Sequence, residues 1–309
     1  MAAAQLKIKK MAGTKRIRVG VVGCGAIGSE ICKAIDGSKL ESELELRFLV
    51  DNHPERIERL CESLKRKPEI IKYDSTGLEE ILEAVDLVVE CASQAAVREF
   101  VVPALRQGKD AMILSVGALL CEPGLFEEVE RLSGTKGCKV YIPSGAVAGV
   151  DGLKSAAGLG GTGGGGGGDG GSGVRSVELT TRKPPRGFEG NKYVKQQGIN
   201  LASIKQGKRA ETLFEGSARE AVRHFPENVN VAASLSLAGL GPEATRVRIV
   251  ADPSAVRNVH EVEVLGEFGR LFVRVENVPS RANPKTSFLA ALSAIATLRG
   301  ILSPLRVGT

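Results

Sequence analysis

The sequence predicts an α/β fold in which a doubly wound parallel sheet is followed by a second, α+β domain. Three observations favour it. An apolar run over 17–22 enters Gly23-x-Gly25-x-x-Gly28 and then an amphipathic helix. Strand-like and helix-like segments then alternate regularly through the first half of the chain. In the second half, short segments alternate apolar with polar residues, which is typical of a sheet with one covered face.

The glycine pattern indicates a dinucleotide-binding turn because it lies between a strand and a helix. Gly23 allows the tight turn, Gly25 lets the backbone approach a pyrophosphate, and Gly28 lets the helix pack closely on the strand. The N–H groups at the start of the helix, at Ala26 and Ile27, then face the negative charge. Because the chain has 38 glycines, an ordinary glycine-rich turn without a ligand is the alternative.

The second strand, over 44–50, ends in Asp51 at the distance from the glycines where the ribose hydroxyls need an acceptor. A carboxylate there repels a 2′-phosphate, so NAD is the predicted cofactor. NADP use stays open, because Asn52, His53 and Arg56 could tolerate a phosphate. Asp51 could also cap the next helix, although Asn52 could supply that cap instead.

The remaining elements of the first domain follow in order, and the domain is predicted over 16–147, after a basic extension over 1–15. Ligands of such sheets bind beyond the carboxyl ends of the strands. Ser93 and Ser115 follow two of these ends and are predicted to line the path of the cofactor, with helix capping as the alternative for Ser93. Further strands are predicted over 70–73, 86–91, 109–115 and 139–142, and helices over 54–65, 77–84, 95–106 and 121–132.

Beyond this domain we expect an α+β substrate domain over 148–284 and a closing helix over 285–303 that packs back on the first domain. The strand patterns predict an antiparallel sheet, and 211–225 is predicted to be largely helical. The glycine-rich segment 158–173 is expected to be a flexible surface loop. The predicted strands of this sheet are 176–181, 245–251, 259–265 and 268–276.

Composition excludes several classes of protein. The net charge of +6 is modest and spread out, and the 4% of aromatic residues do not interleave with basic ones, which argues against nucleic-acid binding. The longest apolar stretch, 288–298, is too short to span a bilayer. Six cysteines without CxxC spacing indicate reduced core residues of a cytoplasmic protein, and with only three histidines no metal site is predicted.

Several motifs together resemble the L-aspartate dehydrogenase family, over about residues 16 to 300. Besides the glycine turn at 23–28, they are PSGAVAG at 143–149, TTRKPP at 180–185, FPENVNVA at 225–232, NVHE at 258–261, and ENVPS with NPKT over 276–286. The basic extension and the glycine-rich segment depart from the family but touch no motif.

The resemblance implies reversible oxidative deamination of L-aspartate to oxaloacetate and ammonia with NAD or NADP. The intermediate is iminoaspartate, the precursor that quinolinate synthesis consumes on the way to NAD. By the match at 258–261, the active-site histidine of the family falls on His260. Its further cofactor contacts fall on Ala146 and Asn230, and the resemblance also implies a homodimer.

The chemistry of such a reaction independently favours a histidine, because hydrolysis of an imine needs a group that activates water near neutral pH. His53 lies beside the adenosine end and His224 ends a helix. His260 starts a strand of the predicted substrate domain, where a core histidine is the alternative, and the family resemblance favours the catalytic role. A dicarboxylate substrate also needs cations, and Arg182 and Lys183 are the candidates. The alternative for this pair is a solvated position before a Pro-Pro turn.

Two other classes of protein remain open. One is another two-domain oxidoreductase, similar to homoserine dehydrogenase or dihydrodipicolinate reductase. The other is a binding protein that holds NAD without catalysis. NADH oxidation that depends on oxaloacetate plus ammonia distinguishes an aspartate dehydrogenase from the first class. A protein of the second class binds NAD but turns over no amino acid.

Overall fold

The computed structural model describes residues 16–308 except 38, 159–172, 226–228, 281, 282, 284 and 285. The extension predicted over 1–15 and nearly all of the loop predicted over 158–173 lie outside the described residues. The described chain forms a six-stranded and a five-stranded sheet, each with its own helices. Within these residues no helix has the length and apolar character needed to cross a membrane.

The first sheet is parallel throughout, as predicted. Its strands are β1 (Ile17–Val22), β2 (Leu44–Val50), β3 (Ile70–Lys72), β4 (Leu87–Glu90), β5 (Asp110–Ile113) and β6 (Val140–Tyr141). The spatial order β3-β2-β1-β4-β5-β6 is that of a doubly wound nucleotide-binding sheet. The strand order reverses between β1 and β4, which is where such sheets bind their ligands.

Helices cover both faces of this sheet. They are α1 (Ala26–Gly37), α2 (Pro54–Ser63), α3 (Leu78–Glu83), α4 (Gln94–Ala96), α5 (Val102–Arg106), α6 (Ala118–Cys121) and α7 (Leu125–Lys136). The single helix predicted over 95–106 is divided, because a π-helical turn, Val97–Val101, separates α4 from α5. The helix predicted over 121–132 begins later, at Leu125, after Gly124 adopts the left-handed conformation with φ 75°.

The strands are packed so tightly that β1 needs a residue without a side chain. A Cβ on Gly20 would lie 2.1 Å from the ring of Phe48, which is fully buried on the neighbouring strand β2. Interiors with crystal-like packing density have no room for such an addition. The pairing of Gly20 with Phe48 therefore fixes how closely these two strands and their helices approach.

The second sheet is mixed, with the order β11-β10-β7-β9-β8. Its strands are β7 (Val174–Lys183), β8 (Glu211–Ser217), β9 (Thr245–Ala251), β10 (Asn258–Gly266) and β11 (Gly269–Asn277). The prediction of an antiparallel sheet is wrong for one pair, because β7 and β9 run parallel. A parallel pair needs a long crossover, and the chain between β7 and β9 supplies it.

The helices of this domain are α8 (Val150–Ala157), α9 (Lys192–Gln196), α10 (Leu201–Gly207), α11 (Ala218–His224) and α12 (Asn230–Ala238). The helix predicted over 211–225 is wrong in its first half, which forms the edge strand β8 and pairs with β9. Hydrogen bonding to β9 makes residues 211–217 a strand rather than a helix. The helix starts only at Ser217, whose side chain forms a capping box with Glu220.

The last helix, α13 (Phe288–Leu302), packs on α1 of the first domain. Ala294, Ile295 and Leu298 join the same hydrophobic cluster as Ile31 and Ile35. The predicted start of this helix, at 285, lies outside the described residues. One face of the second sheet packs on α8 and α12, and the other carries a network of Arg–Glu ion pairs.

Candidate active site

The glycine turn has the geometry that a dinucleotide site requires. Gly23 has a φ of 99°, and a Cβ there would lie 2.7 Å from the carbonyl oxygen of Cys91. A Cβ on Gly28 would lie 1.8 Å from the carbonyl oxygen of Gly23, so α1 can approach the turn only because residue 28 is glycine. Gly25, in contrast, faces open space, which leaves room for a ligand against the backbone.

Asp51 lies at the end of β2, directly beside this turn. Its Oδ2 accepts a hydrogen bond of 2.7 Å from the backbone N–H of Cys24, and its Oδ1 accepts one of 2.9 Å from the N–H of His53. His53, rather than Asn52, is the N-cap position of α2, and its side chain makes no cap hydrogen bond. The buried carboxylate of Asp51 therefore ties the glycine turn to the start of α2.

A cleft with a volume of about 820 Å³ opens above the carboxyl ends of the strands. Eight of the predicted cofactor residues line it: Gly23, Gly25, Ala26, Ile27, Asp51, Ser93, Ser115 and Asn230. Cations gather at the end near Asp51, where Lys33, Arg56 and Arg59 contribute to the wall. Arg56 places its Nη1 3.8 Å from Oδ1 of Asp51.

Glu90, at the end of β4, is a site residue that the sequence predictions missed. The fully buried carboxylate accepts hydrogen bonds from the N–H groups of Ala92, Ser93 and Ser115 and from the hydroxyl of Ser115, at 2.8–3.1 Å. Burial raises the pKa of Glu90, while the bonds from Ser115, Ala92 and Ser93 act in the opposite direction. The signal was present in the sequence as one acidic residue that ends an otherwise apolar strand.

Glu90 gives the two predicted serines their positions. Ser115 donates its hydroxyl to Oε1 of Glu90 over 2.8 Å. Ser93 is the N-cap of α4 and accepts from the N–H of Ala96, so the alternative role of helix capping is what the structure shows for its side chain. Both serines also line the cleft, and one carboxylate therefore holds the loops after β4 and β5 in place.

Hydrogen bonds near the cleft join the first domain to the second. Oδ1 of Asn230, the first residue of α12, accepts from the N–H of Gly117 over 3.1 Å. Nδ2 of Asn277, at the end of β11, donates to the carbonyl oxygen of Ala146 over 3.0 Å. The two residues that the family resemblance marked as cofactor contacts, Ala146 and Asn230, thus lie at the junction between the two domains.

His260 lies on β10, on the covered face of the second sheet. Its Nδ1 is 3.0 Å from Oγ1 of Thr181, the residue directly opposite on β7, and the side chain is only 4% exposed. Burial lowers the pKa of His260 to about 3, and the positive charge of Lys183 adds to this shift. The imidazole is therefore neutral at physiological pH, with a pKa well below the ordinary value expected from the sequence.

The two predicted substrate cations lie on opposite faces of β7, because successive side chains of a strand alternate. Lys183 shares the covered face with Thr181 and is buried near His260. Arg182 faces the other way and forms an ion pair of 3.0 Å with Glu261. The structure therefore brings Lys183, but not Arg182, to His260.

The predicted residues thus form two groups. One group lines the cleft, whereas Ala146, Lys183 and His260 are buried and are not part of its lining. Gly28 does not line the cleft but lets α1 pack closely against the glycine turn.

Comparison with known proteins agrees with this division into two domains. Residues 23–143 match the family model described as the NAD-binding domain of homoserine dehydrogenase. Residues 169–301 match the model described as the C-terminal domain of aspartate dehydrogenase. The first match describes a nucleotide-binding domain, and the second matches the part that holds Thr181, Lys183 and His260.

Whole-chain relatives carry the same name. The L-aspartate dehydrogenase of Methanosarcina barkeri is 49% identical over 293 residues, which is 95% of this chain and all of that protein. That of Nitrosopumilus maritimus is 39% identical over 94% of this chain and 99% of its own length. The crystal structure of aspartate dehydrogenase from Thermotoga maritima matches with a TM-score of 0.66 at 26% identity, covering 95% of this chain and 100% of that one. With this near-complete coverage, the chain belongs to the L-aspartate dehydrogenase family.

Proposed function

We propose that this chain catalyses the reversible, NAD(P)-dependent oxidative deamination of L-aspartate to oxaloacetate and ammonia. The observation that carries the proposal is the 49% identity to an L-aspartate dehydrogenase over 95% of the chain. The residues support it, since a dinucleotide cleft adjoins a domain that buries a histidine beside a lysine.

The first half of the reaction removes a hydride from the α-carbon of aspartate. The C–H electron pair leaves as hydride, and the lone pair of the neutral amine forms the C=N bond of iminoaspartate. A nicotinamide bound in the cleft supplies the acceptor for that hydride. The turn at Gly23 and Gly25, with Asp51, would hold the adenosine and pyrophosphate end, and Ser93, Ser115 and Asn230 would hold the remainder.

The second half hydrolyses the imine, and here His260 acts. As the water oxygen bonds to the imine carbon, the C=N electron pair moves to nitrogen and a water proton passes to the imidazole. The imidazole then returns this proton to nitrogen. As the C–N bond breaks and ammonia departs, the imidazole takes the proton of the hydroxyl, the carbonyl forms, and the imidazole releases that proton to water. A neutral, buried imidazole suits this role because it begins each cycle as an acceptor.

Lys183 is the residue that binds a carboxylate of the substrate. It lies on the same face of β7 as Thr181, near His260, so a carboxylate held there would bring the neighbouring carbon toward the imidazole. Its charge also keeps His260 neutral until a substrate carboxylate offsets it. Arg182 takes no part, because it faces the opposite side of the sheet and pairs with Glu261.

NAD is the preferred cofactor because Asp51 places a carboxylate at the ribose end of the cleft. The nearby cationic side chains weaken the preference for NAD over NADP. Lys33, Arg56 and Arg59 line the same end and would attract a 2′-phosphate. We therefore expect NADP to serve as a second, weaker cofactor.

We also infer a homodimer in the cytoplasm. The exposed face of the second sheet carries alternating Arg and Glu side chains, and with them Phe272, which is 52% exposed. Such a pattern is self-complementary, as a two-fold interface requires. All six cysteines are free thiols, which suits a reducing compartment. Iminoaspartate released before hydrolysis would supply the quinolinate precursor that the family resemblance implies.

The test is a substrate assay with both cofactors. The purified chain should reduce NAD with L-aspartate, and should oxidise NADH only when oxaloacetate and ammonium are both present. Turnover with homoserine but not with aspartate would favour the alternative suggested by the match of residues 23–143. Tight binding of NAD without turnover of any amino acid would instead indicate a binding protein. Light scattering of the same sample gives the oligomeric state.

A further inference from the structure

The residue that faces His260 across the sheet, Thr181, has no role in the reaction as described so far. Its Oγ1 lies 3.0 Å from Nδ1 of His260, and its side chain is 1% exposed. The two residues are directly paired in the antiparallel ladder of β7 and β10. Their separation is therefore fixed by the backbone of two central strands rather than by a mobile loop.

A threonine hydroxyl can either donate or accept a hydrogen bond, so the distance alone does not say which atom carries the proton. A neutral imidazole has one N–H. If the hydroxyl donates to Nδ1, the ring proton lies on Nε2, and neither nitrogen can then take a proton from water. If instead Nδ1–H donates to Oγ1, Nε2 keeps its lone pair.

We propose that Thr181 is a positioning residue that accepts a hydrogen bond from Nδ1–H of His260 and thereby reserves Nε2 for the proton taken from water. This role rests on the proposed function. It explains why a hydroxyl is buried directly opposite His260, next to the apolar side chains of Leu179 and Val262 on the same face.

The hydrogen bond from Nδ1–H of His260 to Oγ1 of Thr181 can form in both protonation states of the ring. When Nε2 takes a proton, His260 becomes an imidazolium, and Nδ1–H still donates to the same oxygen with more strength. No donor or acceptor has to exchange roles during the reaction. Without the hydroxyl, Nδ1–H would be buried and unpaired, and the ring would favour the other tautomer.

The decisive variants are Thr181→Val, which keeps the shape and removes the hydroxyl, and Thr181→Ser, which keeps the hydroxyl. Thr181→Val should lower kcat for aspartate oxidation by about tenfold to a hundredfold, the range for a lost hydrogen bond to a charged group. The dissociation constant for NAD should not change. Thr181→Ser should stay within about threefold of the wild type.

The matched control is Thr180→Val, because Thr180 is the adjacent buried threonine but lies on the opposite face of β7. It should leave kcat unchanged. Melting temperatures of all three variants separate loss of folding from loss of turnover. If Thr181→Val retains the wild-type kcat, or if Thr181→Ser is as impaired as Thr181→Val, the inference is wrong.

A spectroscopic measurement on the wild-type protein tests the same point without any variant at this position. The chain has only three histidines, so nitrogen NMR of histidine-labelled protein can be assigned with His53→Ala and His224→Ala. The His260 signals should show the Nδ1–H tautomer. The Nε2–H tautomer in the wild type would overturn the inference.

The two proposals fail in different ways. If His260→Ala keeps normal turnover, the proposed part of His260 in the reaction is wrong, whatever Thr181 does. If His260→Ala is inactive while Thr181→Val is fully active, the role of His260 stands and that of Thr181 falls.

Discussion

The carboxylate of Asp51 accepts a hydrogen bond of 2.7 Å from the backbone N–H of Cys24, inside the glycine turn. The residue proposed to choose between NAD and NADP therefore also holds the turn that is proposed to bind the pyrophosphate. Its other oxygen accepts from the N–H of His53, at the start of α2. The shape of the turn depends on this buried side chain, and on our proposal the selection of the cofactor depends on it too.

Asp51→Ser should weaken NAD binding by about tenfold to a hundredfold, because a charged acceptor for the ribose and for Cys24 is lost. Binding of NADP should weaken less, since Arg56 and Arg59 still line the cleft and would attract the 2′-phosphate. The gap between the two dissociation constants therefore narrows. Asp51→Asn is the control, because it keeps an acceptor for Cys24 while removing the charge. A wild-type preference for NADP of tenfold or more would contradict the assignment.

His260→Ala should lower kcat by about 10²–10⁴-fold, which is the usual contribution of a positioned acid–base group. Affinity for NAD, measured by fluorescence titration, should change little because His260 is not part of the lining of the cleft in which the cofactor is proposed to bind. His53→Ala and His224→Ala serve as controls and should stay within a few fold of the wild type. If His260→Ala is active while either control variant is inactive, His260 is not the acid–base group of the reaction.

The burial of His260 also predicts how stability depends on pH. Its folded pKa of about 3 lies below the ordinary value of 6.5, so the unfolded chain binds more protons between these values. The free energy of unfolding should consequently fall as pH decreases through this window, by about 1.4 kcal/mol per unit from this residue. Above pH 6.5 the contribution is fully present. Denaturant titrations at several pH values should show a shallower acid slope for His260→Gln, and equal slopes would be incompatible with a buried neutral ring.

Lys183→Ala should raise KM for aspartate by about tenfold or more, because a charge-assisted hydrogen bond to a carboxylate is lost. KM for NAD should stay the same. The adjacent Arg182→Ala is a matched control, since Arg182 lies on the opposite face of β7 and pairs with Glu261. Steady-state kinetics with varied aspartate provide the measurement. If Arg182→Ala raises KM for aspartate more than Lys183→Ala does, Arg182 rather than Lys183 binds the substrate.

Glu90→Ala should destabilise the protein by about 2–5 kcal/mol, because buried donors from Ala92, Ser93 and Ser115 lose their acceptor. It should also weaken NAD binding, since both cleft-lining loops are released. Glu99→Ala is the control, because Glu99 is an exposed carboxylate on the wall of the same cleft. Unfolding curves and NAD titrations of both variants test the prediction. Unchanged stability of Glu90→Ala would mean that solvent replaces the carboxylate.

The first domain could be predicted from the sequence because its signals are local. A buried parallel strand, a glycine turn and an amphipathic helix follow one another within 17–37, and the pattern then repeats. The second domain was harder to predict. Nothing local in 211–217 distinguishes a strand from a helix, and the pairing with β9 that decides it comes from residues 245–251.

The same distinction between local and distant signals applies to the site. The glycines and Asp51 could be found because their spacing along the chain reflects their chemistry. The alternation of side chains along a strand would have placed Arg182 and Lys183 on opposite faces once β7 was recognised. The contact between Thr181 and His260 could not be found in this way, since it joins residues 79 positions apart through the register of two strands.

The packing of α13 on α1 has a consequence for how the protein is made. Ala294, Ile295 and Leu298 belong to the hydrophobic cluster that contains Ile31 and Ile35, yet the ribosome adds them only after the strands of the second sheet. Domains usually fold in order as they emerge during synthesis. Here the first domain to emerge has an uncovered apolar surface until the second domain has been translated. The nascent chain is therefore exposed to aggregation over that interval, and the core of the nucleotide-binding domain becomes complete only after α13 has been translated.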